Sequence, residues 1–314
     1  MDYRLCLKFD NLSKYLPDEL NGTTSLDINK LGNVQNYCSN GESEGTGCKT
    51  DLDKINGGCL WLFEQNIINN IDSLSKDQFK IIIIYIIIWL NYMINLKKDG
   101  KTNNLNDFYT QYIEKNTYYS SCKKNDNDCS NTLKEKTGYN NFKEIIDKRK
   151  DFVNINFDDV SKVYAAFKSL CSMYNEIDAS KPECKEYLEK AKEFVKKYDE
   201  LNNDSSISED SSYKQILSNL STDYNNFKNY CSENQDDCSD IPHLSPIKTI
   251  NKRVQDSGQI VEATSSSSSI ISKIIPVLSI FGAIPIFLGI VYKYSLFGFR
   301  KRSQKQHLRE KIKK

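Results

Sequence analysis

Ile274–Tyr292, IIPVLSIFGAIPIFLGIVY, decides how the rest of this chain is read. Its nineteen residues carry no charge, and at a rise of about 1.5 Å each they match the roughly 30 Å hydrocarbon core of a bilayer. Twelve of them are Ile, Val, Leu or Phe, and each contributes roughly −0.3 to −0.6 kcal/mol near the membrane centre, so insertion is favoured by several kcal/mol. Pro276 and Pro285 would break a helix in water. Inside a membrane they are accommodated as kinks, because neighbouring groups re-satisfy the freed carbonyls. The stretch reads as one transmembrane helix over residues 273–293.

The flanks orient that helix. Within about the last twenty residues before it lie Glu262, the run Ser265–Ser269 and a single basic residue, Lys273. After it come Lys293, Arg300, Lys301, Arg302, Lys305, Arg309, Lys311, Lys313 and Lys314 against one acid, Glu310. Positive flanks stay on the cytosolic side, so residues 294–314 form a basic cytosolic tail and everything before the span lies lumenal or outside. The chain carries a formal charge of +1, and the basic excess sits in this tail. The remainder is mildly acidic and has no nucleic-acid footprint.

All ten cysteines precede the span. An even number confined to one side of a membrane points to an oxidising compartment and to disulfides. Cys38, Cys48, Cys59, Cys122, Cys129, Cys171, Cys184, Cys231 and Cys238 are the disulfide candidates. Short intervening loops favour the pairs 122–129, 171–184 and 231–238, and Cys6, alone near the start, is expected to stay unpaired. There is no CxxC, and the only histidines are His243 and His307, so a zinc site is not expected. The opening MDYRLCLKFDNLSKYL has no apolar core of secretory-signal length; entry to the secretory pathway is expected to use an internal or uncleaved signal. A tail anchor with a cytosolic bulk is the competing topology, and the basic tail and the cysteines argue against it.

Residues 1–240 read as a run of helices. Leu12–Leu20 could form a short one, ended by the turn at Asn21–Gly22. Asp51 or Asp53 can cap a helix whose apolar face is Ile55, Cys59, Leu60, Phe63, Ile67 and Ile71. Ser75 caps the next, which carries Phe79 and the run Ile81–Leu90. That run spans only about 15 Å as a helix, half a bilayer, and so is read as the most buried helix of a soluble core. Leu105–Tyr119 and Leu133–Lys148 follow as amphipathic helices around the polar loop Cys122–Cys129, with Gly138 weakening the second. A full stripe runs Val160, Val163, Tyr164, Phe167, Leu170, Cys171, Tyr174, Ile177. Beyond Asp178–Lys181, a partner helix opens at Pro182 with Tyr187, Leu188, Ala191, Val195, Tyr198 and Leu201 inward, so the two form an antiparallel hairpin. Tyr213–Tyr230 supplies a last helix with Ile216, Leu217, Leu220, Tyr224 and Phe227 inward. Residues 241–272 turn to Pro, Ser, Thr and charge and read as a stalk.

Little catalytic chemistry is available. The histidines fall in the stalk and the tail, so no triad or Cys–His dyad can be placed in the helical part. The carboxylates sit mainly at helix starts and in loops, where capping accounts for them. GTGCKT at Gly45–Thr50 fails as a phosphate-binding loop, since Cys48 stands before Lys49, position 42 is Glu and no strand precedes it. Neither a cofactor nor an enzymatic activity is expected.

Three stretches carry a resemblance. Cys59–Gln65 (CLWLFEQ), Tyr85–Lys97 (YIIIWLNYMINLK) and Phe281–Arg302 (FGAIPIFLGIVYKYSLFGFRKR) resemble the Plasmodium interspersed repeat (PIR) variant antigens, and more narrowly the Cir/Yir/Bir group of rodent malaria parasites. The likeness extends over nearly the whole chain in the order of its parts. It implies a surface or exported membrane protein of infected red cells, associated with antigenic variation and immune evasion. The expected fold is all-α: a disulfide-supported helical ectodomain, a Ser-rich stalk and one C-terminal transmembrane helix. The expected partners are the membrane and, through the polar loops Ser39–Thr50, Lys123–Asp128 and Asn202–Ser212, host proteins or antibodies. The alternative is a structural or trafficking protein of an internal parasite or vacuolar membrane.

Overall fold

The computed structural model describes residues 3–38, 47–97, 102, 104–149, 157–176, 184–204, 211–234 and 239–248. The expected span, the basic tail and all of the stalk beyond residue 248 lie outside them. Every element below belongs to one compact unit, Met1–Lys252.

The centre of this unit is α4, Lys76–Leu96. Ser75 and Gln78 form a capping box at its start: the Gln78 N–H donates to Ser75 Oγ at 3.2 Å, and the Ser75 N–H donates to Gln78 Oε1 at 2.9 Å. From Ile82 to Leu90 every side chain is buried. A helix apolar on all sides has to be covered on all sides, and each fully buried Ile or Leu contributes roughly 1.5–3 kcal/mol of burial. The cover comes mainly from α3 (Asp51–Asn66) and α9 (Phe157–Asn175).

Helix α1 runs Tyr3–Tyr15, earlier than the expected Leu12–Leu20. It buries Leu5, Cys6, Phe9 and Leu12 at spacings of one, three and three, and Pro17 disfavours continuing the helix through Leu16. The cap of α3 is Thr50, with Asp53 as its reciprocal partner rather than the cap itself. Between these lies α2, Val34–Cys38, packed on α3.

Two expected helices are broken. Leu105–Tyr119 resolves into α5 (Leu105–Phe108), a π-turn at Tyr109–Ile113 and α6 (Thr117–Ser120). Leu133–Lys148 becomes α7 (Ser130–Thr137) and α8 (Phe142–Lys148). Gly138, at φ 86°, closes α7 in the left-handed region that favours glycine, and Asn141 caps α8 by accepting from the Glu144 N–H. Between α6 and α7 the loop Lys123–Asp128 is a two-stranded hairpin, β1 (Lys123–Lys124) and β2 (Asn127–Asp128). Asn125 and Asp126 both hold positive φ, the pattern of a type I′ turn.

The hairpin of α9 with α10 (Cys184–Asn203) makes the most extensive helix pair. Lys162 near its start bonds Asp204 at 2.6 Å, and Glu176 at the other end bonds Lys190 at 2.5 Å, which fixes the antiparallel sense. On α10 the buried face is Tyr187, Ala191, Phe194, Tyr198 and Leu201. Phe194 takes the inward position expected of Val195, which is only half-buried. Helix α11, Ser211–Asn234, buries Ile216, Leu217, Leu220, Tyr224, Phe227 and Cys231.

Residues 239–248 do not hang free as the beginning of a stalk. Ile241 is buried, Tyr224 Oη donates to the Pro242 carbonyl at 2.7 Å, and Lys228 Nζ donates to the Ile241 carbonyl at 3.1 Å. The Asn202 amide holds the strap from both sides, donating to the Pro246 carbonyl at 2.8 Å and accepting from the Lys248 N–H at 2.9 Å.

Candidate functional site

The cysteines form a framework that differs from the one spacing suggests. Cys6 is not unpaired: it bridges Cys171, Cα to Cα 5.0 Å, and ties α1 to α9 across 165 residues. The expected 171–184 bridge is therefore excluded. Cys171 lies on the buried stripe of α9 with Phe167 and Tyr174, and that stripe faces α1, which sequence distance alone cannot reveal. Cys38 bridges Cys48 and Cys122 bridges Cys129, at Cα separations of 5.0 and 5.1 Å. The latter closes the exposed hairpin, where the Cys129 N–H also donates to the Cys122 carbonyl at 3.1 Å.

Cys59 and Cys231 are buried free thiols, so the expected 231–238 bridge is corrected as well. Burial pushes the Cys59 thiol up to about 12 and that of Cys231 up to about 11. Both thiols sit on apolar stripes, Cys59 beside Tyr119 and Cys231 one turn beyond Phe227, where they pack as small apolar side chains. The side chain of Cys184, and Cys238 altogether, lie outside the described residues.

Two buried carboxylates escaped the sequence reading. Asp18, 5% exposed, accepts from Tyr164 Oη at 2.5 Å and Lys168 Nζ at 2.9 Å, while its carbonyl accepts from Tyr92 Oη at 3.0 Å. This one residue thus joins the loop after α1 to α4 and α9. Asp223, 1% exposed, accepts from Tyr85 Oη at 2.9 Å, and its carbonyl accepts from Tyr174 Oη at 2.8 Å. Burial first, and then the adjacent carboxylate, hold the Tyr85 and Tyr164 phenols well above their ordinary range, so both remain donors. A signal for Asp223 was present: it stands three residues after Leu220, on the stripe itself. Both residues act as ties between helices, each through its carboxylate and its backbone carbonyl.

Among the described residues no group of His, Cys, Asp and Glu is placed to hold a metal ion. His243 lies on the strap, its ring nitrogens 3.3 and 3.4 Å from Lys228 Nζ. What the unit presents outward is polar and shaped by its loops. The hairpin tip Asn125–Asp128 is exposed and is steadied on one side by Lys124 bonding Asp72 at 2.7 Å. Residues 39–46 and 205–210 of the other two polar loops lie outside the described residues. An open groove of about 560 Å³ runs along α10 under Pro242, between Lys192, Val195, Lys196, Asp199, Glu200 and Asn203. A second cavity, of about 350 Å³, opens beside the first turns of α4.

The helical order and the disulfides agree with what comparison shows. The family described as Plasmodium variant antigen protein Cir/Yir/Bir matches residues 6–293. The chain belongs to that family. No curated protein matches it. Among solved structures, a Plasmodium PIR protein ectodomain is similar to it at 32% identity and a TM-score of 0.59, over 79% of this chain and 98% of that one. Cir/Yir/Bir membership carries a general role as a surface or exported antigen, and the family is not one of enzymes.

Proposed function

We propose that the protein is a membrane-anchored variant antigen that displays the helical unit outside the cytosol of an infected cell, catalyses nothing, and contacts host proteins or antibodies through its polar loops. Ile274–Tyr292 is the anchor in this reading and the basic tail is cytosolic. One observation supports it most. The described unit is crossed by three disulfides, one of them 165 residues long, and it is similar to a protein solved as an ectodomain. Such bridges persist in oxidising compartments and are rare in a reducing cytosol.

The exposed hairpin shows how display and variation are compatible. Its fold is set by the Cys122–Cys129 bridge and a two-residue turn, and the side chains of Asn125, Asp126, Asn127 and Asp128 contribute nothing to the core. Within the positive-φ preference at Asn125 and Asp126 and the Asp128 bond to the Ser130 N–H, they can change without disturbing the core, and immune recognition would read such positions. The reading is tested by protease protection of intact and permeabilised infected cells, followed with an antibody to the hairpin. Cleavage of the helical unit on intact cells supports display. Cleavage of the tail alone before permeabilisation would place the bulk in the cytosol and return the chain to a structural or trafficking role at an internal membrane.

A further inference from the structure

The cavity beside α4 lies between that helix, α7 and α8. Its floor includes Phe79, Ile83 and Ile145, which are 1%, 4% and 1% exposed. Its rim carries Lys76 and Lys80 from α4, Lys134 and Lys136 from α7, and Arg149 at the end of α8, against a single lining acid, Glu135. In a chain whose 43 basic and 42 acidic residues nearly cancel, five cations around one opening are a local excess. Helix electrostatics explains only part of it. Lys134 and Lys136 lie in the last turn of α7, where the dipole favours cations. Lys76 and Lys80 occupy the first turns of α4, where the same dipole opposes them.

Some of this charge is answered locally. Asp77 lies 3.1 Å from Lys80 in an exposed pair, and Lys136 Nζ donates to the Leu74 carbonyl at 3.4 Å. Hydrogen bonds from Asn140 hold the Glu144 carboxyl below its ordinary range, and the nearby Lys134 adds to this. Arg149 is also engaged, so the local excess is carried by the lysines, four of them against Glu135, Asp77 and Glu144. Exposed pairs of this kind contribute little, roughly 0–1 kcal/mol, and exchange readily for a new anion.

We propose that this groove binds a sulfated oligosaccharide. Four of the five cations are lysines, compact point charges on flexible stems, which suit several anions spaced along a scaffold better than one planar carboxylate. The half-buried Tyr139 ring lines the opening and gives a sugar ring a flat apolar face. Among the described residues the only strands, in the Lys123–Asp128 hairpin, do not line the cavity, so it offers a peptide no edge to extend. The proposal rests on the extracytosolic placement argued above, because sulfated sugars are met there.

The test uses the full chain, purified in detergent, with a short fluorescent sulfated oligosaccharide as probe. Affinity falls as salt rises, and the double variant Lys80→Glu/Lys134→Glu loses about tenfold or more. Lys192→Glu/Lys196→Glu, two exposed lysines on the α10 groove, leaves affinity within about twofold. Binding of the unsulfated sugar or of a poly-glutamate peptide with equal affinity overturns the assignment. So does an equal loss in both charge variants, or no binding by the parent chain. If the charge reversal disturbs folding, seen as a lowered melting temperature, Lys80→Gln/Lys134→Gln is measured in its place. Binding by purified protein is read independently of membrane sidedness, so its failure is distinguishable from failure of the protease-protection result.

Discussion

Tyr85 on α4 donates a 2.9 Å hydrogen bond to the carboxylate of Asp223 on α11, 138 residues away and with both groups buried. About two turns along the same face of α4, Tyr92 donates to the backbone carbonyl of Asp18, whose carboxylate accepts from Tyr164 and Lys168 of α9. In the low-dielectric interior such bonds are strong when made and costly when one partner is removed. The central helix is thus wrapped by apolar contacts and tied through two tyrosines of one face, Tyr85 to the Asp223 carboxylate and Tyr92 to the Asp18 carbonyl.

Tyr85→Phe removes the donor and leaves the ring. Stability measured by urea unfolding should fall by about 1–3 kcal/mol, the penalty for stripping a donor from a buried acceptor. A cycle with Asp223→Ala should show coupling of about 1 kcal/mol or more, because the two side chains share one bond. Additive single and double variants would show that the tie carries no energy.

Disulfide removal should rank by loop length. On the chain-entropy account, a bridge closing 165 residues contributes about 5 kcal/mol and one closing 7 about 2 kcal/mol. Cys6→Ala/Cys171→Ala should therefore lower the unfolding midpoint more than Cys122→Ala/Cys129→Ala. The hairpin variant should retain the helical circular-dichroism signal and lose recognition by an antibody raised against the native loop.

Gly57 lies where α2 presses on α3. A methyl group there would come within 2.7 Å of Cys38 Sγ and 2.8 Å of Val34 Cγ1, with Cys48 Sγ at 3.3 Å. Gly57→Ala should destabilise by about 1–3 kcal/mol through overpacking. It should also raise the fraction of chains in which Cys38 and Cys48 react with a thiol label, read by mass spectrometry.

Alkaline pH should unfold the protein from a known site. Cys59 has an ordinary value near 9 and is pushed up to about 12 in the fold by burial. Below about 9 both states hold the proton and no stability is lost. Between about 9 and 12 the unfolded chain releases it while the folded chain cannot, so stability falls as pH rises, by about 1.4 kcal/mol per unit for one group. Cys59→Ala should flatten the decline of unfolding free energy over that window. At neutral pH neither Cys59 nor Cys231 should alkylate until denaturant is added.

Much of the helical content was legible because apolar residues recur at three and four, and this held best for α9 and α11, whose stripes match the buried positions. The cap at Ser75 was equally readable, since the partner Gln78 sits at the required spacing. Readings failed where a local break or a distant partner decided the outcome. Gly138 and Asn141 split one expected helix into two, because the left-handed closure and the new cap outweigh a continuous apolar pattern. Phe194 displaced Val195 inward because it reaches the Tyr224 ring, 5.0 Å between centroids.

The amino-acid order by itself determined that the Ile81–Leu90 helix must be covered on every side and that the charge pattern makes a basic tail. These are one-dimensional properties: hydrophobic period, length and composition. His243, read as part of a stalk, is instead packed against Lys228 of α11. Which cysteine meets Cys171, which carboxylate sits under Tyr85, and which lysines converge beside Phe79 were decided only by tertiary structure. Each depends on how helices far apart in the chain are turned toward one another, and burying α4 leaves α1, α9 and α11 an arrangement that brings Cys6 to Cys171 and Tyr85 to Asp223.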